Sequence, residues 1–96
     1  MKYTPYISLG EAIEAFLDKH GLRDEADIQQ VIADWEAIMG RPIALHTRKI
    51  SFRQGVLLIQ IDSPVWKQEL QLARSRIRTL VNTRIGREVV QDVRIV

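Results

Sequence analysis

The residues of this chain that could bind a ligand by charge are its arginines and lysines, which gather in the second half of the sequence. Residues 41–96 carry eleven Lys or Arg against four Asp or Glu, a net charge of +7. Residues 1–40 carry three against eight, a net charge of −5. Clustered cations hold phosphates and release the counterions that surround a nucleic acid. We therefore expect the basic half to contact a polyanion, with a charged surface that binds nothing as the alternative.

The predicted contact residues lie on one strand and along one flank of a later helix. Lys67, Arg74 and Arg78 recur at helical spacing, and Lys49 and Arg53 alternate along a predicted strand. The complete nucleic-acid set is Arg48, Lys49, Arg53, Lys67, Arg74, Arg78, Arg84 and Arg87. Trp35 and Trp66 fall in register with aliphatic residues and are assigned to the core, so few aromatics are free to stack on bases. We expect contacts to the nucleic-acid backbone with little sequence preference.

The sequence lacks the patterns that catalysis and metal binding require. It has no cysteine, and its two histidines, His20 and His46, have no second ligand at metal spacing. Its five glycines are far apart, so they form no phosphate-binding loop. We expect no enzyme, no cofactor, no metal and no small-molecule substrate. No apolar run approaches about 18 residues and the N-terminus lacks a signal-peptide pattern, so we expect no membrane contact and a cytoplasmic location.

The first predicted helix begins after Ser8, which forms a capping-box pattern with Glu11, and ends at Gly21. One face of this helix is apolar and consists of Leu9, Ile13, Phe16 and Leu17. The opposite face carries the acids that we predict to bind a protein partner: Glu11, Glu14 and Asp18. Acids near a helix N-terminus also stabilise the helix dipole, so a structural role is the alternative.

A second helix is predicted from a cap at Asp24 to Met39, because Gly40 and Pro42 end the apolar pattern. Residues 41–47 are predicted to be a connecting segment. Two strands follow at residues 48–53 and 56–61, with Gln54-Gly55 as a tight turn between them.

One long helix is then predicted over residues 65–85, started by Ser63 and Pro64 and ended by Gly86. It would be about 33 Å long. Its apolar stripe consists of Trp66, Leu70, Ala73, Ile77, Leu80 and Val81. A third strand is predicted over residues 89–96, parallel to the second strand and beside the first. The expected fold is α+β in the order α-α-β-β-α-β, a single two-layer domain over residues 1–96 whose helices pack on one face of a three-stranded sheet.

An ordered set of short motifs resembles the DciA-like family of bacterial proteins. The set runs through Ser8-Leu9-Gly10-Glu11, Asp34-Trp35, Ile38-Met39-Gly40, Ile43-Ala44 with His46-Thr47, Gly55-Val56-Leu57, Ser63-Pro64-Val65-Trp66, Glu69-Leu70, Asn82 and Ile85-Gly86. The resemblance implies a KH-like domain that binds DNA, single- or double-stranded, and helps to load or operate the replicative helicase at replication initiation. The GxxG loop with which KH domains clamp a nucleic-acid backbone is absent, so binding is expected to rest on the basic surface.

Two other functions fit the same residues. An RNA-binding KH-like module would use the same phosphate contacts, and competition between DNA and RNA would distinguish it. A protein adaptor would act through its acidic helices, and partner binding would then survive charge reversal at Arg74 and Arg78.

Overall fold

A computed structural model describes residues 8–96, which form six helices and three strands. The elements are α1 (Leu9–Lys19), α2 (Arg23–Ala33), α3 (Trp35–Met39), α4 (Arg41–His46), β1 (Thr47–Arg53), β2 (Val56–Ile61), α5 (Pro64–Leu72), α6 (Arg74–Ile85) and β3 (Asp92–Ile95). The predicted α+β class is confirmed. The segment order α-α-β-β-α-β is confirmed as well, although the second and third helical segments are each divided.

The three strands form one mixed sheet in the order β1-β2-β3. The hairpin makes β1 and β2 antiparallel, and β3 runs parallel to β2, as predicted. The prediction that β3 lies beside β1 is wrong, because β3 pairs with β2. Helices α2 and α4 pack against β1, whereas α5 contacts β2 and β3 and α6 contacts β3. After β2 the chain therefore passes through α5 and α6 and returns as β3, which pairs with the edge of β2 that β1 leaves free. Both helices contact β3 on this side of the sheet.

The sheet has one buried face and one open face. Cross-strand rows Ile50–Ile59–Ile95 and Phe52–Leu57–Val93 line the buried face under the helices. Leu57 and Ile59 on the central strand are fully buried. Because successive side chains of a strand alternate between faces, the residues between them point away from the helices. The alternation that directs one set of side chains into the core therefore directs the other set to the open face.

The single long helix predicted over residues 65–85 is wrong, because the chain breaks at Ala73 into α5 and α6. Ser63 caps α5 by accepting a hydrogen bond from the backbone N–H of Trp66, and Gly86 ends α6 in a left-handed conformation, both as predicted. No proline or glycine marks Ala73. One straight helix of about 33 Å would be longer than the strands beneath it. Leu70 on α5 and Ile77 on α6 both lie in the core, one on each side of the break.

The second predicted helix is likewise divided, at Asp34, into α2 and α3. Asp24 is not its cap, because α2 begins at Arg23 and its N-terminus has no side-chain cap. The predicted connecting segment over residues 41–47 is also wrong. Pro42 lies in the first turn of α4, where its fixed φ suits a helix start. Trp35 is buried as predicted, and its indole N–H donates to Thr47 Oγ1 at 3.0 Å.

Three apolar assignments differ from the structure. The apolar face of α1 is largely exposed, because this helix packs mainly on α2 and buries only Ala12. Trp66 is half-buried against the core, with its ring 6.5 Å from that of His46. Leu80 belongs to the predicted apolar stripe of the long helix but is 48% exposed.

The third strand begins at Asp92, later than the predicted residue 89. Asn82 on α6 holds the preceding loop: its Oδ1 accepts hydrogen bonds from the N–H groups of Val89 (3.0 Å) and Val90 (2.8 Å), and its Nδ2 donates to the Val90 carbonyl (2.9 Å). Val89 and Val90 therefore enter the core from a loop clamped by one side chain.

Candidate nucleic-acid interface

The open face of the sheet carries three exposed cations, and two of them belong to the predicted contact set. Lys49 and Arg53 project from β1 on this face, as the alternation of the strand required. Arg94 on β3 shares the face and lies in the cross-strand row Ser51–Leu58–Arg94. Its Nε is 3.7 Å from Asp92, and both side chains are exposed, so this contact leaves the guanidinium available.

A second pair of cations lies where α6 passes the first residues of β3. Arg74 and Arg78 line a cleft of about 110 Å³ together with Ser75, Gln91, Asp92 and Val93. Arg78 Nη1 donates to the Gln91 carbonyl at 3.3 Å, which holds its side chain along the edge of β3. Asp92 is the one acid in the cleft, and its Oδ1 accepts from the backbone N–H of Val93 at 2.9 Å.

The sheet connects these two groups of cations. Arg53, Val56 and Asp92 form one cross-strand row on the open face, and two strand spacings of about 4.8 Å separate its ends. Asp92 also lines the cleft that contains Arg74 and Arg78. We define the basic surface as Lys49, Arg53, Arg74, Arg78 and Arg94. Within residues 8–96, the only carboxylate within 4.0 Å of a charged group of this surface is Asp92.

Three of the predicted contact residues form ion pairs inside the molecule. Arg87 contacts Asp24 and Asp27 on α2, each at 2.6 Å, and these hydrogen-bonded carboxylates raise the pKa of Arg87. Arg84 lies 3.3 Å from Asp34. The acidic and basic halves of the chain thus neutralise each other where α6 meets α2, which accounts for part of the charge asymmetry.

Arg48 belongs to a cluster at the start of β1. It pairs with Asp62, whose other oxygen lies 2.8 Å from His46 Nδ1. The hydrogen bond from His46 and that from Arg48 lower the pKa of Asp62. The Asp62 N–H also donates to the His46 carbonyl at 3.0 Å, so this cluster joins the start of β1 to the end of β2. Lys67 is exposed on α5 and does not line the cleft that contains Arg74 and Arg78.

The acids predicted for a protein partner lie along α1, where all three are exposed. Ser8 Oγ accepts from the Glu11 N–H at 3.1 Å, as the capping pattern predicted. Arg23 Nη1 lies 2.5 Å from Glu14 and 3.1 Å from Asp18. The hydrogen bond and charge of Asp18, followed by the charge of Glu14, raise the pKa of Arg23. This arginine holds α1 against the start of α2, so two of the three acids also have a structural contact.

Arg94 is an exposed cation of the basic surface that is absent from the predicted contact set. The alternation Val93, Arg94, Ile95 placed it opposite two core residues and was sufficient to find it. Among residues 8–96, no group of three metal-ligating side chains converges. Within the same range, no helix has the length and apolar composition needed to span a membrane.

Comparison with known proteins identifies relatives along nearly the whole described chain. Residues 8–95 match the family model described as "Dna[CI] antecedent, DciA". A UPF0232 protein of Mycobacterium bovis (strain BCG) is 26% identical over 91% of this chain and 46% of its own length. UPF0232 proteins of Corynebacterium glutamicum (strain R) and Rhodococcus jostii (strain RHA1) are also 26% identical, over 92% and 90% of this chain.

The chain spans about half the length of these curated relatives: 46% of the R. jostii protein and 49% of the C. glutamicum protein. No solved structure matches it significantly. The family match extends from the cap of α1 to the last residue of β3 and so includes every element described above. The chain belongs to the DciA family.

Proposed function

We propose that this protein is a non-enzymatic accessory of the bacterial replicative helicase that binds DNA through its basic surface, in the cytoplasm. The observation that carries the proposal is the continuity of five exposed cations from the open sheet face, past Asp92, to the cleft beside α6. Membership of the DciA family, which is associated with that helicase, supports the partner.

The chemistry of this surface favours phosphate contacts. Arginine presents a planar group of donors that matches two phosphate oxygens, and four of the five cations are arginines. The open sheet face has no aromatic side chain in its described rows, so base stacking contributes little. Binding of this kind positions a nucleic-acid backbone without reading its sequence.

The experiment is DNA binding measured by fluorescence anisotropy as a function of salt. If about three or four phosphates are contacted, the log–log slope on duplex DNA is about −3, a loss of about 60-fold in affinity between 50 and 200 mM salt. The variant Arg74→Glu with Arg78→Glu should lower affinity by about tenfold or more at the lower salt concentration. Both side chains are exposed, so the fold is kept, as circular dichroism will verify.

The matched control is Lys19→Glu with Arg41→Glu. It changes the net charge by the same amount at two exposed residues outside the basic surface. Equal losses in the two double variants would show that net charge alone attracts DNA, and would refute a defined surface. An affinity that is independent of salt would also contradict the proposal.

We propose that the exposed acids of α1, Glu11, Glu14 and Asp18, contact the helicase. Charges at the rim of an interface mainly set the association rate, so reversal slows binding before it abolishes it. Glu11→Lys alone is the sharper test, because Glu14 and Asp18 also hold Arg23. Surface plasmon resonance with the helicase of the same organism should show a slower association at low salt. An unchanged rate would place the partner site elsewhere.

The second candidate is RNA binding, favoured by the same observation because phosphates are common to both nucleic acids. Competition of labelled single-stranded DNA with duplex DNA and with RNA of equal length distinguishes the two. Tighter binding of RNA, together with no association with the helicase, would replace the helicase accessory with an RNA-binding module.

A further inference from the structure

The outer edge of β1 is the side on which the core of the sheet is incompletely covered. In the order β1-β2-β3, strand β1 pairs with β2 on one side only. Val93 and Ile95, at the β3 ends of the two buried rows, are 1% and 5% exposed. Ile50 and Phe52, at the β1 ends of the same rows, are only half-buried. The core therefore extends to β1 without being closed there.

The backbone of this edge directs hydrogen-bonding groups outward. Gln54-Gly55 is a two-residue turn, so Arg53 and Val56, which flank it, form a hydrogen-bonded pair of the hairpin. Such pairs alternate along an antiparallel ladder, so the N–H and C=O groups of Ile50 and Phe52 point away from β2. Among the described residues, no backbone group outside the hairpin bonds to either of them. These groups can form a ladder with an added strand.

A cleft of about 340 Å³ lies along the same edge, between β1 and the helices α2 and α3. Its apolar walls include Ile32, Trp35, Ala44 and Ile50, and no residue of β2 or β3 lines it. The cleft therefore opens on the side of β1 that has no neighbouring strand. Glu36 is the one acid that lines it. Side chains that an added strand directs toward the helices would enter this cleft, so apolar side chains suit these positions and acidic ones do not.

On the open face of the same edge, charge selects the partner. Lys49 and Arg53 lie two positions on either side of Ser51, and neither forms an ion pair within residues 8–96. Residues directly opposite in adjacent strands have Cβ atoms about 5 Å apart, so carboxylates on an added strand would reach both cations. A second copy of β1 does not meet this requirement, because antiparallel pairing about Ser51 would place Lys49 opposite Arg53.

We propose that the outer edge of β1 binds an extended acidic segment of another protein as a fourth strand. Acidic residues at alternate positions of that segment face Lys49 and Arg53. Apolar residues between them enter the cleft and complete the rows that end at Ile50 and Phe52. The ladder supplies affinity and the alternating side chains supply specificity. Such a segment would compete with DNA for the two cations, but the inference does not depend on DNA binding.

The experiment is an NMR titration of the full chain with a capped peptide that carries this alternation, Ser-Glu-Val-Thr-Val-Glu-Ser. Binding should shift the amide resonances of Ile50 and Phe52 and, at saturation, slow their hydrogen exchange by about tenfold or more, because their N–H groups become bonded. The peptide Ser-Glu-Glu-Thr-Val-Val-Ser has the same composition and charge without the alternation, and should give no such protection. Equal affinities for the two peptides would mean that charge alone attracts them, and would overturn the proposal.

Charge reversal on the strand tests the open-face contacts. Lys49→Glu with Arg53→Glu should weaken binding of the alternating peptide by about tenfold or more, because two opposite-charge pairs become like-charge pairs. Lys19→Glu with Arg41→Glu is the matched control, since it changes the net charge equally at exposed residues that do not line the cleft. Circular dichroism verifies the fold of both variants. Equal losses in the two double variants would also overturn the proposal.

Hydrogen exchange in the unaltered chain without peptide distinguishes other occupants of the edge. Protection of the Ile50 and Phe52 amides that rises with protein concentration would show that a second copy pairs there. Protection that is the same at every concentration would show that a segment of the chain itself covers the edge. Either result would overturn the proposal, as would a peptide that does not bind or that shifts only resonances outside β1 and the cleft.

Discussion

The clamp formed by Asn82 gives a prediction whose size follows from three distances. In Asn82→Ala, the N–H groups of Val89 and Val90 and the Val90 carbonyl lose hydrogen bonds of 3.0, 2.8 and 2.9 Å. Each buried group left without a partner costs about 1–3 kcal/mol. Asn82 is half-buried, so water reaches part of the site, and we take the lower bound for each group. The free energy of unfolding should fall by about 3 kcal/mol, or about 12–24 °C in melting temperature.

The assay is urea unfolding followed by tryptophan fluorescence and circular dichroism. Thr83→Ala, one residue further along the exposed side of α6, is the matched control and should change stability by less than about 0.5 kcal/mol. Asn82→Asp keeps the acceptor but places an anionic oxygen beside the Val90 carbonyl. It should be destabilised at neutral pH and partly recover when its carboxyl is protonated. A loss below about 1 kcal/mol in Asn82→Ala would refute the clamp.

Four further variants test the core, the start of the sheet and the hairpin. Trp35→Ala should lower the free energy of unfolding by about 3–5 kcal/mol, whereas Trp66→Ala, at a half-buried position, should lower it by about 1–2 kcal/mol. Equal losses in urea unfolding would contradict the difference in burial between the two tryptophans. The folded-state pKa of Asp62 is lowered, so its pairing with His46 stabilises the fold above the unfolded pKa of about 3.9. This stabilisation is lost as the pH falls through the lower pKa of the folded state. The melting temperature of Asp62→Asn should therefore lie below that of the unaltered chain at pH 7, and the gap should close on acidification; a gap that persists at low pH would exclude the charge as its cause. Gly55→Ala should destabilise the hairpin by about 1 kcal/mol or more, because φ is +81° and an added Cβ would approach Gln91 to 3.1 Å; an unchanged thermal transition would show that the turn adapts.

Features governed by neighbours in sequence were predictable. The caps at Ser8 and Ser63 and the helix end at Gly86 depend on bonds within one turn, and the structure contains all three. The turn at Gln54-Gly55 also formed as predicted, with φ of +51° and +81° at its two residues. The open-face positions of Lys49 and Arg53 followed from the two-residue period of β1, which no later part of the chain alters.

Features governed by distant contacts were not predictable from a single sequence. The break at Ala73 has no local signal, since neither proline nor glycine stands there. The pairing of β3 with β2 depended on which sheet edge the other helices occupied. The exposure of the apolar face of α1 has the same origin, since a helical apolar pattern specifies a face but not whether anything covers it.

The candidate site shows the same division. The sequence by itself determined that the chain has a basic half, which residues alternate onto one sheet face, and which family it resembles. Only the tertiary structure decided which cations are available. Arg87 and Arg84 lie 60 and 50 residues from the acids that hydrogen-bond with them, whereas Arg74 and Arg78 face a cleft beside β3. Charge is a property of composition, but its neutralisation depends on distances of a few ångströms that only the folded chain creates.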